Sequence, residues 1–85
     1  MKVKDPKLLE LPAPVRTRVY FYSTYNGEIF EHSGIIVSYT YTGRDLSFMV
    51  NEERYISWHD TKELGKTMFF SKEEYEDRIK KILKE

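Results

Sequence analysis

Two short groupings in the sequence contain side chains that could perform chemistry. Gly65-Lys66-Thr67 offers the lysine and hydroxyl of a phosphate-binding loop, and His59-Asp60 offers two metal ligands. A phosphate-binding loop also needs a glycine five residues before Gly65, where this chain has Asp60, and a helix directly after the threonine. The apolar residues after Thr67 continue as a strand instead. We therefore interpret Gly65 as a turn residue that leads into an edge strand.

A metal site at His59-Asp60 would need further ligands that converge from elsewhere in the fold. Only His32, Glu28 and Glu31 are chemically suitable on a neighbouring predicted hairpin, and the chain has two His and no Cys. We therefore predict no metal site and no cofactor. In this interpretation His59 ends a strand and Asp60 begins a turn.

Nucleophilic catalysis requires a serine or threonine that is activated by a neighbouring base. Ser33, Ser57 and Ser71 are available together with the two His, but no nucleophile-elbow sequence surrounds any of them. Ser71 is explained as a helix cap. We predict no catalytic residue, so the chain is interpreted as a protein that is not an enzyme.

The segments between these groupings alternate apolar and polar residues with a period of two, which is typical of strands. Asn26-Gly27 predicts a type I′ hairpin turn, and Ser33-Gly34 predicts a bend or bulge. The strand that ends at His59 places Ile56 and Trp58 on the same side, and Trp58 is predicted to lie in the core. The predicted strands cover residues 15–25, 28–32, 35–41, 46–50, 54–59 and 66–70.

A single helix is predicted over residues 71–84. Ser71 and Glu74 have the spacing of a capping box, in which the serine hydroxyl accepts from the helix backbone. Apolar residues then recur at helical spacing and form one stripe, which consists of Tyr75, Ile79, Ile82 and Leu83.

These elements predict a mainly β fold. We expect either a small SH3-like antiparallel barrel or a strongly curled sheet, with one C-terminal α-helix. Residues 1–14, which contain three prolines, are predicted to form an N-terminal arm, and residues 15–85 a small β-barrel domain with the helix.

Composition narrows the classes of function. The 85 residues carry 14 basic and 14 acidic side chains, so a strongly basic nucleic-acid binder is not indicated. No apolar run approaches the ~18–20 residues of a membrane span, and the basic N-terminus lacks the apolar region of a secretory signal. With no Cys in the sequence, we expect a cytoplasmic protein without membrane contact.

The segment 63–74, ELGKTMFFSKEE, resembles the C-terminal signature of small uncharacterised proteins of Firmicutes, phages and mobile elements. In that group a Gly-Lys-Thr strand precedes a Ser/Thr-capped helix with paired Glu. The segments 34–39 and 48–50 are similar in pattern to its strands, and the resemblance covers about residues 27–79. Tyr75 departs from the pattern, where a small residue is usual. The resemblance implies a bacterial or phage cytosolic protein and implies no activity.

A stripe of Tyr and Arg on the first strand is the predicted binding site. If Val19 faces the core, Tyr20 and Tyr22 face outward beside Arg16 and Arg18. Such a stripe can form a protein hot spot or can stack bases and contact phosphates. The alternative is that the helix or the arm covers it as packing. Tyr39 and Tyr41 are the next candidates.

We therefore predict a non-catalytic protein-binding module. The resemblance to phage and mobile-element proteins implies a more specific form of this prediction, in which the chain binds or inhibits a host enzyme. A nucleic-acid-binding small barrel is the alternative, which the neutral net charge disfavours. An uncharacterised small enzyme or metal-binding protein is the third. An exposed strand edge can pair with that of a second copy, so we expect either a monomer or a homodimer.

Overall fold

The computed structural model describes residues 11–84. Its strands are β1 (Arg18–Tyr25), β2 (Glu28–Tyr41), β3 (Leu46–Asn51), β4 (Ile56–Asp60) and β5 (Met68–Phe69). A single 3₁₀ turn, Thr61–Glu63, follows β4, and the helix α1 spans Lys72–Lys84. Most of the predicted N-terminal arm, residues 1–10, lies outside the described residues.

The five strands form one antiparallel sheet in the order β4-β3-β2-β1-β5. The prediction of a mainly β fold with one C-terminal helix is therefore confirmed. Of the two forms that the sequence allowed, the sheet is the open one, because β4 and β5 do not pair to close a barrel.

The turn between β1 and β2 follows the prediction. Asn26 and Gly27 both have positive φ, 52° and 79°, which a type I′ turn requires. The predicted bend at Ser33-Gly34 is wrong, because β2 continues through it in unbroken register with β1. The register shift of β2 lies instead between Ile36 and Ser38, opposite β3.

The sheet is strongly curled around its core. The face that carries the core is called the inner face, and its buried residues are Val19, Phe21, Ile36, Phe48, Val50 and Met68. The ring of Phe21 on β1 lies 4.6 Å from the ring of His59 on β4, although two strands separate β1 from β4. In a flat sheet those strands would lie about 14 Å apart. The curl therefore brings side chains of distant strands together on the inner face.

The helix α1 packs on the opposite, outer face. The hydroxyl of Ser71 accepts from the backbone N–H of Glu74 at 3.3 Å, as the predicted cap requires. Tyr75 is buried against Tyr20 and Phe69, with ring centroids 6.3 and 6.5 Å away. Because α1 lies over β1 and β5, it leaves the outer face of β3 and β4 uncovered.

With Phe in place of Tyr75, the free energy of unfolding is expected to fall less at alkaline pH than in the wild type. Burial and the hydrogen bond that its hydroxyl donates to Glu31 Oε1, at 2.9 Å, raise the pKa of Tyr75 far above its ordinary value of 10.0. Above pH 10.0 the phenol of Tyr75 has lost its proton in the unfolded chain and retains it in the folded chain, so the free energy of unfolding falls as the pH rises.

The measurement is urea unfolding at about pH 9 and about pH 11 for the wild type and Tyr75→Phe. The variant should lose about 1 kcal/mol at the lower pH, for the missing hydrogen bond, and then decline less steeply. Tyr25→Phe, at a residue 69% exposed, is the control and should follow the wild type. Equal slopes for all three proteins would contradict the prediction.

Candidate functional site

The predicted stripe on β1 lies partly under α1. Tyr20 and Tyr22 face outward as predicted, and both are half-buried beside the helix. The ring of Tyr20 contacts that of Tyr75, so this part of the stripe serves packing. Arg16 and Arg18 are exposed just before and at the start of β1.

The other two predicted binding residues lie elsewhere on the sheet. Tyr39 is half-buried against Phe48 on the inner face, with ring centroids 5.7 Å apart, and its hydroxyl donates to the carbonyl of Ala13. Tyr41 is 49% exposed at the end of β2, and its hydroxyl donates to the carbonyl of Gly43 at 2.9 Å. The six predicted residues therefore do not form one continuous surface.

The uncovered outer face of β2, β3 and β4 carries large apolar side chains. We call this surface the outer apolar face, and it consists of Val37, Met49, Ile56 and Trp58. Trp58 is 59% exposed, Ile56 55% and Val37 41%. Met49 is the direct cross-strand neighbour of Trp58, so the two side chains lie next to each other on the outer face. Contiguous exposed apolar side chains of this size are typical of interaction sites.

The prediction that Trp58 lies in the core is wrong. Alternation along β4 places Ser57 and His59 on the inner face, opposite Val50 and Phe48. Trp58 lies between them and therefore points to the outer face.

Ser57 and His59 belong to a chain of hydrogen-bonded side chains along the inner face. The hydroxyl of Ser57 lies 2.7 Å from Nε2 of His59, and Nδ1 of His59 lies 3.0 Å from Oε1 of Glu63. Ser57 also donates to Oε2 of Glu52, whose side chain is only 5% exposed. The 3₁₀ turn positions Glu63, whose other oxygen accepts from the backbone N–H of Asp60 at 3.0 Å.

The chain continues from Glu52 to the first hairpin. Oε1 of Glu52 lies 2.9 Å from Nδ1 of His32, and Nε2 of His32 lies 3.0 Å from the hydroxyl of Ser23. We call the six residues of this chain the inner polar chain: Ser23, His32, Glu52, Ser57, His59 and Glu63. It links β1, β2, the β3–β4 turn, β4 and the 3₁₀ turn.

The direction of these hydrogen bonds decides what the inner polar chain can do. A nucleophilic serine donates its proton to a histidine nitrogen. Ser57 has one hydroxyl proton and gives it to Glu52, so that proton is not available to Nε2 of His59. A neutral imidazole carries one ring proton, so His59 donates either to Ser57 through Nε2 or to Glu63 through Nδ1. The arrangement thus satisfies buried polar atoms and ties strands together.

No sequence motif connects Ser57 and His59 with Glu52 or Glu63. The available signal was spacing, because residues two apart on a strand share a face and His59 and Glu63 lie four apart across a turn. Glu52 could not be found this way, since its partner His32 is 20 residues away.

Comparisons with family models, curated proteins and solved structures gave no match to this chain. Over residues 11–84, no three or more His, Asp or Glu side chains converge as metal ligands. The helix of this part of the chain is too short and too polar to cross a membrane.

Proposed function

We propose that this chain is a non-catalytic protein-binding module, and that it binds its partner through the outer apolar face with Trp58 as the anchor. The observation that carries the proposal is the 59% exposure of Trp58 in the middle of a paired strand, with Ile56 beside it at 55%. Tryptophan, like tyrosine and arginine, is enriched among the residues that dominate binding energy at protein interfaces.

The surroundings of this face support a partner of ordinary protein chemistry. Charged side chains border the apolar centre, among them Arg54, Asp60 and the ion pair between Lys62 and Asp45 at 3.5 Å. An apolar centre with a polar border is the usual anatomy of a protein interface. The strands beneath are fixed by the core and by the inner polar chain, so the face is presented by a rigid support.

A finer description of the module follows from its topology. Four strands form a meander, a 3₁₀ turn follows, and the last strand pairs with the first. This succession is similar to that of SH3-like domains, and we propose an SH3-like binding module. The resemblance of residues 27–79 to phage and mobile-element proteins extends the proposal to a cytoplasmic protein that inhibits a host enzyme.

Nucleic-acid binding has less support. Base stacking needs exposed aromatic faces beside positive charge. Tyr20 and Tyr22 lie half-buried beside α1, so their faces are not free for stacking. Trp58 is exposed but lies on β4, which two strands separate from Arg18 on β1.

Replacing Trp58 by Ala is expected to abolish capture of the partner while the fold is retained. Truncation of a central interface tryptophan typically costs about 2–4 kcal/mol of binding free energy, which is a loss of about 30-fold or more in affinity. Because the side chain is mostly exposed, we expect the free energy of unfolding to change by less than about 1 kcal/mol. The measurement is affinity capture from a Firmicutes lysate with mass spectrometry, followed by calorimetric titration of the captured protein.

Tyr25→Ala is the matched control, since Tyr25 is 69% exposed at the tip of the first hairpin, away from the outer apolar face. A specific partner should be captured by the wild type and by this control and lost with Trp58→Ala. If Trp58→Ala captures the same proteins as the wild type, the proposed face is wrong. If capture is lost with Tyr20→Ala or Tyr22→Ala and kept with Trp58→Ala, the partner binds at the Tyr and Arg stripe that the sequence predicted.

A further inference from the structure

The outer edge of β4 presents backbone groups in a definite pattern. The N–H of Glu52 donates to the carbonyl of Tyr55 at 2.9 Å, so this pair of residues is hydrogen-bonded at the start of the β3–β4 hairpin. Hydrogen-bonded and non-bonded pairs alternate along an antiparallel ladder. The backbone groups of Ser57 and His59 therefore point to β3. Those of Ile56, Trp58 and Asp60 point away from it.

The outward N–H of Asp60 already has a hydrogen-bond partner, because it donates to Oε2 of Glu63 at 3.0 Å. Within the range 11–84, no partner lies on the outward N–H and C=O groups of Ile56 and Trp58. The open edge of β4 therefore offers two donors and two acceptors, and it ends at a side chain that stops further pairing. An exposed edge of this kind is a template for another strand.

We propose that this edge binds a second copy of the chain, with the two β4 strands antiparallel and related by a two-fold axis that passes beside Ser57. In this register Ile56 of each copy lies opposite Trp58 of the other. The two pairs exchange four backbone hydrogen bonds, which use every outward group of Ile56 and Trp58 and need none from Asp60. The interface is isologous, as closed dimers require.

Charge complementarity selects this register. With the axis at Ser57, Arg54 in the turn before β4 of each copy comes next to Asp60 at the end of the other copy's β4, which gives two opposite-charge pairs. With the axis shifted by one residue to Trp58, Arg54 would lie opposite Lys62, and Ile56 opposite the carboxylate of Asp60. Opposite charges across a strand pair stabilise it and like charges destabilise it.

The dimer does not rest on the proposed function, because it uses the backbone edge of β4, whereas the proposed partner uses side chains on the outer apolar face. Pairing places the two outer apolar faces side by side, with Ile56 of one copy next to Trp58 of the other. The partner then meets one continuous surface in place of two separate ones.

Sedimentation equilibrium of the full chain tests the proposal, from about 10 μM to about 1 mM. The expected result is a reversible monomer–dimer equilibrium, and amide hydrogen exchange should slow at Ile56 and Trp58 by about tenfold as the dimer forms. A chain that stays monomeric throughout this range would overturn the proposal. So would a dimer in which these two amides exchange as fast as in the monomer.

Arg54→Asp is the diagnostic variant, and Arg44→Asp is its control, because both arginines are exposed in turns but Arg44 lies between β2 and β3. We expect Arg54→Asp to weaken the dimer about tenfold, since two opposite-charge pairs become like-charge pairs, and Arg44→Asp to leave it unchanged. Equal effects of the two variants would contradict the register. Affinity capture by Trp58→Ala reports separately on the proposed function.

Discussion

Replacing Glu52 by Ala is expected to lower the free energy of unfolding by about 3 kcal/mol, because it removes two hydrogen bonds to a carboxylate, each of which contributes about 1.5–3 kcal/mol. The carboxylate is 5% exposed and accepts from Ser57 and from His32, whose Nδ1 lies 2.9 Å away. Its removal leaves Ser57 with Nε2 of His59 at 2.7 Å and His32 with only the long contact from Nδ1 to the Tyr55 hydroxyl at 3.4 Å, and neither neighbour is a carboxylate. The loss stays at the lower end of the range for two such bonds because the side chain of His32 is 22% exposed and water can reach it.

The neighbouring Glu53 provides a matched control. Glu53 is exposed in the same turn, and its side chain forms no hydrogen bond with the other described residues. Glu53→Ala removes the same charge and should change the free energy of unfolding by less than about 0.5 kcal/mol. The comparison is made by urea unfolding at neutral pH. Similar losses in the two variants would mean that the inner polar chain contributes little to stability.

Replacing Gly34 by Ala is expected to be equally severe, at about 3 kcal/mol, for a purely steric reason. A Cβ atom at position 34 would lie 2.5 Å from the carbonyl oxygen of Asn51 and 2.5 Å from Cγ1 of Val50. The first of these is a backbone atom of β3, and the second belongs to a side chain with 0% exposure, so neither can move aside freely. The added methyl group would push β2 away from β3 at the centre of the sheet.

Ser33→Ala tests the same stretch of β2 without the clash. Ser33 is exposed and its change adds no atom near β3, so its effect should stay within about 0.5 kcal/mol. Thermal unfolding of both variants is sufficient, because a loss of about 3 kcal/mol lowers the midpoint of a domain this small by more than about 10 °C. A stable Gly34→Ala variant would show that β2 and β3 can separate at this point without cost.

The local elements were predictable from the sequence because their signals are local. The turn at Asn26-Gly27 and the cap at Ser71 each depend on residues within three positions of one another, and both are found as predicted. Either a small barrel or a strongly curled sheet was predicted, because the alternation of residues defines two faces but does not determine whether the edges of the sheet meet.

The assignment of faces in β4 failed for a physical reason. Alternation shows that Trp58 and Ser57 point to opposite sides, and hydrophobicity alone assigns Trp58 to the interior. The inner side instead takes Ser57 and His59, because Glu52 and Glu63 provide partners for them there. Those partners come from the turn before β4 and the 3₁₀ turn after it, so polar residues replace apolar ones at the rim of the core.

The stripe on β1 illustrates a second limit. Its outward direction was predicted correctly, but whether α1 would lie over it depends on where the chain returns after β5. The bend expected at Ser33-Gly34 has a similar origin. Glycine there permits the close approach of Asn51 rather than a change of direction, and that neighbour is 17 positions away in the sequence.

The contact between Phe21 and His59 has a consequence for how this domain fluctuates. Because β1 and β4 touch through these rings at 4.6 Å, the β3–β4 hairpin cannot swing away as an independent unit without opening the middle of the molecule to water. Partial opening and global unfolding should therefore be one cooperative event over most of the sheet. Chaperones and proteases would then encounter either the intact domain or the fully unfolded chain, with few half-open forms between them.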